Sequence, residues 1–137
     1  MSFMLEFVNP KTTAGNVKVS VEEASIRVPV DKQAVYRAQL FSVTSNLNAS
    51  ATYTTPGYDM YYFTHFQGYV YSDVDGTLHI EISMNGSDWR RLKSISVSGG
   101  STVTFNEEVI ARYYRIVYEN GATATSTFEL VGYKVVK

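Results

Sequence analysis

The feature that most restricts the fold is a strict two-residue alternation that recurs in the last part of the chain. In Leu78, Ile80, Ile82 and Met84 the apolar residues alternate with His79, Glu81 and Ser83, the period of a strand with one buried face. Tyr114, Ile116 and Tyr118 alternate in the same way with Tyr113, Arg115 and Val117. Each run is closed by an Asn-Gly pair, Asn85-Gly86 and Asn120-Gly121, which suits a two-residue turn with positive φ at both central positions. Two strands of this kind predict an antiparallel β-sandwich. On this reading Met84 belongs to the buried stripe, and His79 lies on the exposed polar face.

The same punctuation runs through the remainder. Phe3, Leu5 and Phe7 alternate until Asn9-Pro10 breaks them, and Val17, Val19 and Val21 alternate after a loop. Ile26, Val28 and Val30 form a further face, with Pro29 confined to an edge or strand end. Residues 33–44 read as a long strand. A short helix over residues 31–41 is the alternative, since Asp31 is able to cap it and Ala, Gln, Arg and Leu favour helix. Strands are expected over 51–55, 59–64, 66–72, 92–97 and 127–136. Asp73-Val-Asp-Gly76 is expected as a hairpin turn and residues 98–101 as another turn. Turns every 8–12 residues are the spacing of an all-β sandwich or barrel. The division expected is an N-terminal arm or pair of edge strands over 1–24 and a sandwich domain over 25–137. The arm reading has a functional form, strand addition to a neighbouring subunit.

Composition narrows the function classes. At 137 residues the chain is long enough for one domain with a genuine core. Twelve Lys and Arg against 13 Asp and Glu leave a net charge of -1, which argues against nucleic acid as a partner because phosphate contacts need a basic patch. The absence of cysteine excludes disulfides, thiol nucleophiles and thiolate metal sites. No apolar run approaches the roughly 20 residues a membrane-crossing helix needs, so no membrane partner is expected. The first ten residues lack the basic and long apolar regions of a secretory signal. Only His65 and His79 are available as imidazoles, which leaves few parts for nucleophilic or metal-assisted catalysis. Neither an enzyme nor a cofactor is expected. Asp73-Val-Asp-Gly76 resembles the start of a calcium loop, but Tyr71 stands where an acid is needed. The adjacent acids Glu22-Glu23 and Glu107-Glu108 point to opposite faces of a strand and do not make a carboxylate pair across a cleft.

The pattern Asn85-Gly-Ser-Asp-Trp89, then Ala111-Arg-Tyr-Tyr-Arg-Ile-Val-Tyr118, then Thr127-Phe-Glu-Leu-Val-Gly-Tyr133 loosely resembles the second half of discoidin-type and related carbohydrate-binding jelly rolls. With Ala49-Ser-Ala-Thr-Tyr-Thr-Thr-Pro56, Gly68-Tyr-Val-Tyr-Ser-Asp-Val-Asp-Gly-Thr-Leu78 and Asn120-Gly-Ala-Thr-Ala124, residues 45–137 more closely resemble β-sandwich modules of bacterial and archaeal viruses. The resemblance implies a jelly-roll sandwich and a virion structural role: a capsid decoration, tail or fibre component in symmetric oligomers, with other virion proteins as partners. The likeness to the carbohydrate-binding jelly rolls implies that Arg112 and Arg115 are framework residues, buried or half-buried against a carboxylate. A surface glycan is the alternative partner.

The surplus in this composition is aromatic: eleven Tyr, seven Phe and one Trp. Tyr53, Tyr58, Tyr61 and Tyr62 crowd the Pro56-Gly57 turn, and Trp89 follows a turn where it is expected at the surface. Tyr and Trp are enriched at protein interfaces and on sugar-stacking platforms. These five, with Phe3, Leu5 and Phe7 of the arm, are the candidates for an interface or ligand surface.

Overall fold

The structure, a computed structural model, describes residues 36–137. The expectations for Phe3, Leu5, Phe7, the valines at 17, 19 and 21, and Ile26, Val28 and Val30 lie outside the described residues. The described residues form nine strands, in order: β1 (Tyr36–Val43), β2 (Thr52–Thr54), β3 (Tyr58–Asp59), β4 (His65–Ser72), β5 (Gly76–Ser83), β6 (Arg90–Val97), β7 (Ser101–Glu108), β8 (Tyr113–Asn120) and β9 (Phe128–Val136). There is no helix among the described residues, so none long and apolar enough to cross a membrane. The helical alternative for 31–41 fails from Tyr36 onward because the chain there pairs in register with β9, Tyr36 opposite Val136.

The strands form two antiparallel sheets. One has the order β1-β9-β4-β7; the other has β2-β8-β5-β6, with β3 extending the β2 edge along β8. Only β5 and β6 are neighbours both in sequence and in a sheet. Apart from the short step from β2 to β3, which stays on β8, every other connection crosses from one sheet to the other, which makes the sandwich a jelly roll. Asp73-Val-Asp-Gly76 is therefore not a hairpin. It carries the chain between sheets, because β4 pairs with β9 and β7 and not with β5. Its carboxylates staple two other loops: Asp73 accepts from the Ser126 and Thr127 amides at 2.9 and 3.1 Å, and Asp75 from the Gly99 amide at 2.8 Å.

The β5–β6 connection also departs from the sequence reading. It runs through residues 84–89 and is not a two-residue turn; Gly86 has φ of 81°, while Asn85 does not take a positive φ. The Asn85 side chain organises the loop instead, accepting from the Ser87 and Asp88 amides at 2.8 and 2.9 Å. This local bonding competes with continued pairing, and Met84 leaves the buried stripe to stand 73% exposed. Likewise residues 60–64 are not strand: Asp59 ends β3 by accepting from the Tyr61 amide at 3.0 Å.

The core is aromatic. Leu78, Ile80, Tyr114, Ile116, Tyr118, Phe128 and Leu130 are buried as the alternation requires. At its centre one row crosses the four-stranded sheet: Phe41 of β1, Gly132 of β9, Gly68 of β4 and Phe105 of β7 stand in register. The two edge phenylalanines fold inward over the two central glycines. Phe66 lies beneath them, with ring centroids 6.5 Å from Phe41, 5.2 Å from Phe105 and 5.3 Å from Tyr114 of the other sheet.

The outer face of the five-stranded sheet carries a polar layer. His79, expected to be exposed, is only 6% exposed. Its Nδ1 lies 2.7 Å from Ser94 Oγ, and Glu119 of β8 stands beside its Nε2 at 3.4 Å. Cross-strand neighbours distant in sequence cover it. Glu81, 8% exposed, receives Arg91 at 2.9 Å and Arg115 at 2.8 Å. Burial pushes the Glu81 carboxyl up, but the hydrogen bonds and charges of the two guanidinium groups outweigh it, and the carboxyl titrates below its ordinary value. A depressed folded value means that the pair's contribution is complete above the ordinary glutamate value of 4.5 and is lost as pH falls through the folded one. Urea titrations from pH 7 to pH 3 should therefore show Glu81→Gln about 2 kcal/mol less stable than the parent at neutral pH. The gap between the two should close in acid. A constant gap would assign the loss to packing instead of charge.

Candidate interaction site at the tyrosine-bearing end

The topology collects the connections into two groups. Residues 60–64, 84–89 and 109–112 meet at one end of the sandwich, where Met60, Tyr61, Met84, Ile110 and Arg112 line a shared depression. The start of β1 and the end of β9 reach the same end: Tyr36 stacks on Phe63 with centroids 6.4 Å apart, and the Thr64 amide donates to Val135 O at 2.8 Å. Residues 44–51, 73–75, 98–100 and 121–127 make the other end.

The two ends differ in chemistry. The exposed large apolar side chains among the described residues are Tyr36 (56%), Tyr61 (64%), Tyr62 (81%), Met84 (73%) and Ile110 (64%). All five belong to the first end. The second end is mostly Ser, Asn, Thr, Asp and Gly, with Leu47, Val74 and four alanines as its apolar residues. It is held by the Asp73 and Asp75 staples and by buried Asn120, whose Nδ2 donates to Asn48 O and Thr123 O at 2.9 and 2.8 Å. Such a one-sided distribution of exposed apolar side chains makes this end the candidate interaction surface.

The patch is organised around one cation. Arg112 lies just before β8, and its guanidinium donates to both carboxylate oxygens of Asp59 at 2.9–3.3 Å. It packs 5.3 Å from the ring centroids of Tyr61 and of Tyr113. The guanidinium and the Tyr61 amide hold the Asp59 carboxyl below its ordinary value. Tyr61 meets Tyr62 edge to face, centroids 4.8 Å apart at 87°. Beneath them the Tyr114 hydroxyl accepts from the Ile110 amide at 2.9 Å and donates to Glu108 O at 3.1 Å, fixing the 109–112 loop. The outcome is a rigid, amphipathic platform: aromatic and thioether surface beside a bidentate ion pair, the composition of protein-binding hot spots.

The sequence candidates are placed unevenly. Tyr61 and Tyr62 stand together on the platform. Tyr58 turns inward and stacks on Phe41 at 5.5 Å and 20°, and Tyr53 packs half-buried against the core. Trp89 is half-buried rather than exposed: the Arg115 guanidinium covers its ring at 4.3 Å, and its edge fills the space left by the absent side chain of Gly57. Arg115 is thus a half-buried framework residue braced by Glu81, as the jelly-roll resemblance implies. Arg112 is braced by Asp59 but is exposed. Met84 and Ile110 were not among the candidates. Ile110 had a signal, an apolar residue between Glu107-Glu108 and Arg112 outside any alternating run; Met84 had none. Glu107 makes an ion pair with Lys93 of the other sheet at 2.8 Å.

A jelly-roll sandwich with one apolar end and one polar end is the class of protein that these observations define. Residues 31–135 match the family described as the uncharacterised protein YqxG N-terminal domain, and the chain belongs to that family. It is 34% identical over 88 residues to the phage-like element PBSX protein XepA of Bacillus subtilis (strain 168), covering 61% of this chain and 32% of that protein. The crystal structure of PBSX exported protein XepA superposes with a TM-score of 0.63 at 30% identity, over 74% of this chain and 36% of that one. The chain thus corresponds to about a third of this relative's length. A subunit of the Bacillus endospore appendages, described as disulfide-linked pili, shares the fold at 16% identity and a TM-score of 0.53, over 82% of this chain and 97% of that one.

Proposed function

We propose that this chain is a non-enzymatic structural component of a phage-like particle, of the capsid-decoration, tail or fibre kind. It self-associates through its tyrosine-bearing end, with residues 1–24 as a docking arm, and its place is the virion. The observation that carries this reading is the segregation of Tyr36, Tyr61, Tyr62, Met84 and Ile110 to one end of the sandwich. The relationship to a protein of a phage-like element supports the setting. Its partners on this reading are further copies of itself and other proteins of the particle.

The test is the solution mass by light scattering of the full chain, of the chain lacking residues 1–24, and of Tyr61→Ser/Tyr62→Ser. Both tyrosines are exposed, so the double variant should unfold at the same urea concentration as the parent, within about 0.5 kcal/mol. The full chain is expected as an oligomer and both variants as monomers. A monomeric full chain at high concentration, or an oligomer that survives both changes, would overturn self-association. A second reading is a glycan-binding module for cell-surface attachment. It draws on a different surface, the outer face of the four-stranded sheet.

A further inference from the structure

The outer face of the four-stranded sheet carries a groove of about 400 Å³, within the size range of small-ligand sites. Its walls are two cross-strand rows. Tyr133, Gln67 and Asn106 stand in register across β9, β4 and β7, and Tyr69 and Thr104 stand two residues further along β4 and β7. Two residues of strand separate such rows by about 7 Å, so the groove runs across the strands. Arg37 of β1 closes one end, its guanidinium 5.9 Å from the Tyr133 ring centroid.

We infer that this groove binds a neutral oligosaccharide laid across the strands. The inference rests on the glycan-binding reading and gives it a location away from the tyrosine-bearing end. The lining decides the ligand class. Amides, hydroxyls and phenols both donate and accept, as sugar hydroxyls do, and tyrosine rings offer apolar faces to sugar C–H groups. Arg37 is the single charge among the lining residues, too few for a polyanion. An extended peptide adding as a strand needs a free sheet edge; β4 and β9 under this groove are paired on both sides, and the open edge of β7 lies only at its margin.

The groove is also preorganised. Arg37 Nη2 donates to Gln67 Oε1 at 3.2 Å, and Gln67 Nε2 donates to Asn106 Oδ1 at 3.0 Å. The Tyr69 hydroxyl donates to Glu129 at 2.8 Å, which fixes the ring and holds its own proton more tightly than usual. These bonds hold the side chains in place before any ligand arrives, which lowers the entropy that binding must spend. Among the described residues, Asn106 Nδ2, Thr104 Oγ1 and the Tyr133 hydroxyl are left without an intramolecular partner, and these are the groups that would meet the sugar.

The test is a titration of the ¹⁵N-labelled full chain with soluble hexamers of β-1,4-linked glucose, of N-acetylglucosamine and of galactose, followed by amide shifts. At least one hexamer is expected to shift the amides of Gln67, Tyr69, Thr104, Asn106 and Tyr133. Asn106→Ala, an exposed change that leaves the spectrum of the core intact, should weaken that binding at least tenfold. Shifts confined to Tyr61, Tyr62 or Trp89, with Asn106→Ala binding as the parent does, would overturn the groove while leaving glycan binding standing. No shift with any hexamer at millimolar concentration would overturn both.

Discussion

Phe66→Ala is expected to lower the free energy of unfolding by about 4 kcal/mol, the range found when a large buried aromatic side chain is truncated. Phe66 is fully buried, and its ring is the contact between the Phe41 and Phe105 rings of one sheet and the Tyr114 ring of the other. Its removal costs the transfer of the ring and opens a cavity between two sheets that relax only partly, because each is held by its own ladder. Domains of this size have about 5–15 kcal/mol in total, so the variant should sit close to its unfolding threshold at room temperature. A urea series reports the effect directly. Phe66→Leu, which keeps most of the volume, should lose less than half as much. If Phe66→Ala instead unfolds within 1 kcal/mol of the parent, the two sheets are held together elsewhere.

Gly68→Ala is expected to cost about 3 kcal/mol, at the upper end for added atoms in a packed interior. A Cβ at Gly68 runs into the Val131 carbonyl oxygen and meets the Phe105 ring at 2.5 Å. The ring is able to move; the carbonyl is part of the β4–β9 ladder and is not. The discriminating experiment is therefore the double variant Gly68→Ala/Phe105→Leu. If the backbone contact dominates, the smaller side chain rescues little of the loss. Recovery to the level of Phe105→Leu alone would show that the ring is the obstacle.

The inward faces of the strands were legible because alternation is a local property. Leu78, Ile80, Tyr114, Ile116 and Tyr118 lie inside as their spacing requires. What alternation does not carry is which strand lies beside which. Asp73-Val-Asp-Gly76 has the composition of a hairpin, yet its acids are spent on the amides of Gly99, Ser126 and Thr127, partners 24 to 54 positions away. His79 and Glu81 read as solvent-facing for the same reason. The Ser94, Arg91, Arg115 and Glu119 side chains that cover them come from other strands, and pairing is decided by the whole sheet. The candidate site was legible in part. Tyr61 and Tyr62 follow from an aromatic surplus beside a Pro-Gly turn. Met84 and Ile110 join them only through the folding of three loops to one end. The groove on the four-stranded sheet is made of common polar residues whose meaning lies in register alone.

The position of β9 has a consequence for how the chain is made. Among the described strands β9 comes last in sequence yet lies between β1 and β4, so the four-stranded sheet has no continuous ladder until Phe128–Val136 is available. Pairing the two ends of so long a segment is a high-contact-order step, which places folding of such sandwiches in milliseconds to seconds rather than microseconds. A ribosome adds about 5–20 residues per second, so β1 and β4 wait for seconds with open edges before their shared neighbour arrives. A chain cut short before Phe128 never closes them, and two bare edges facing one another across a missing strand are a template for pairing with other chains.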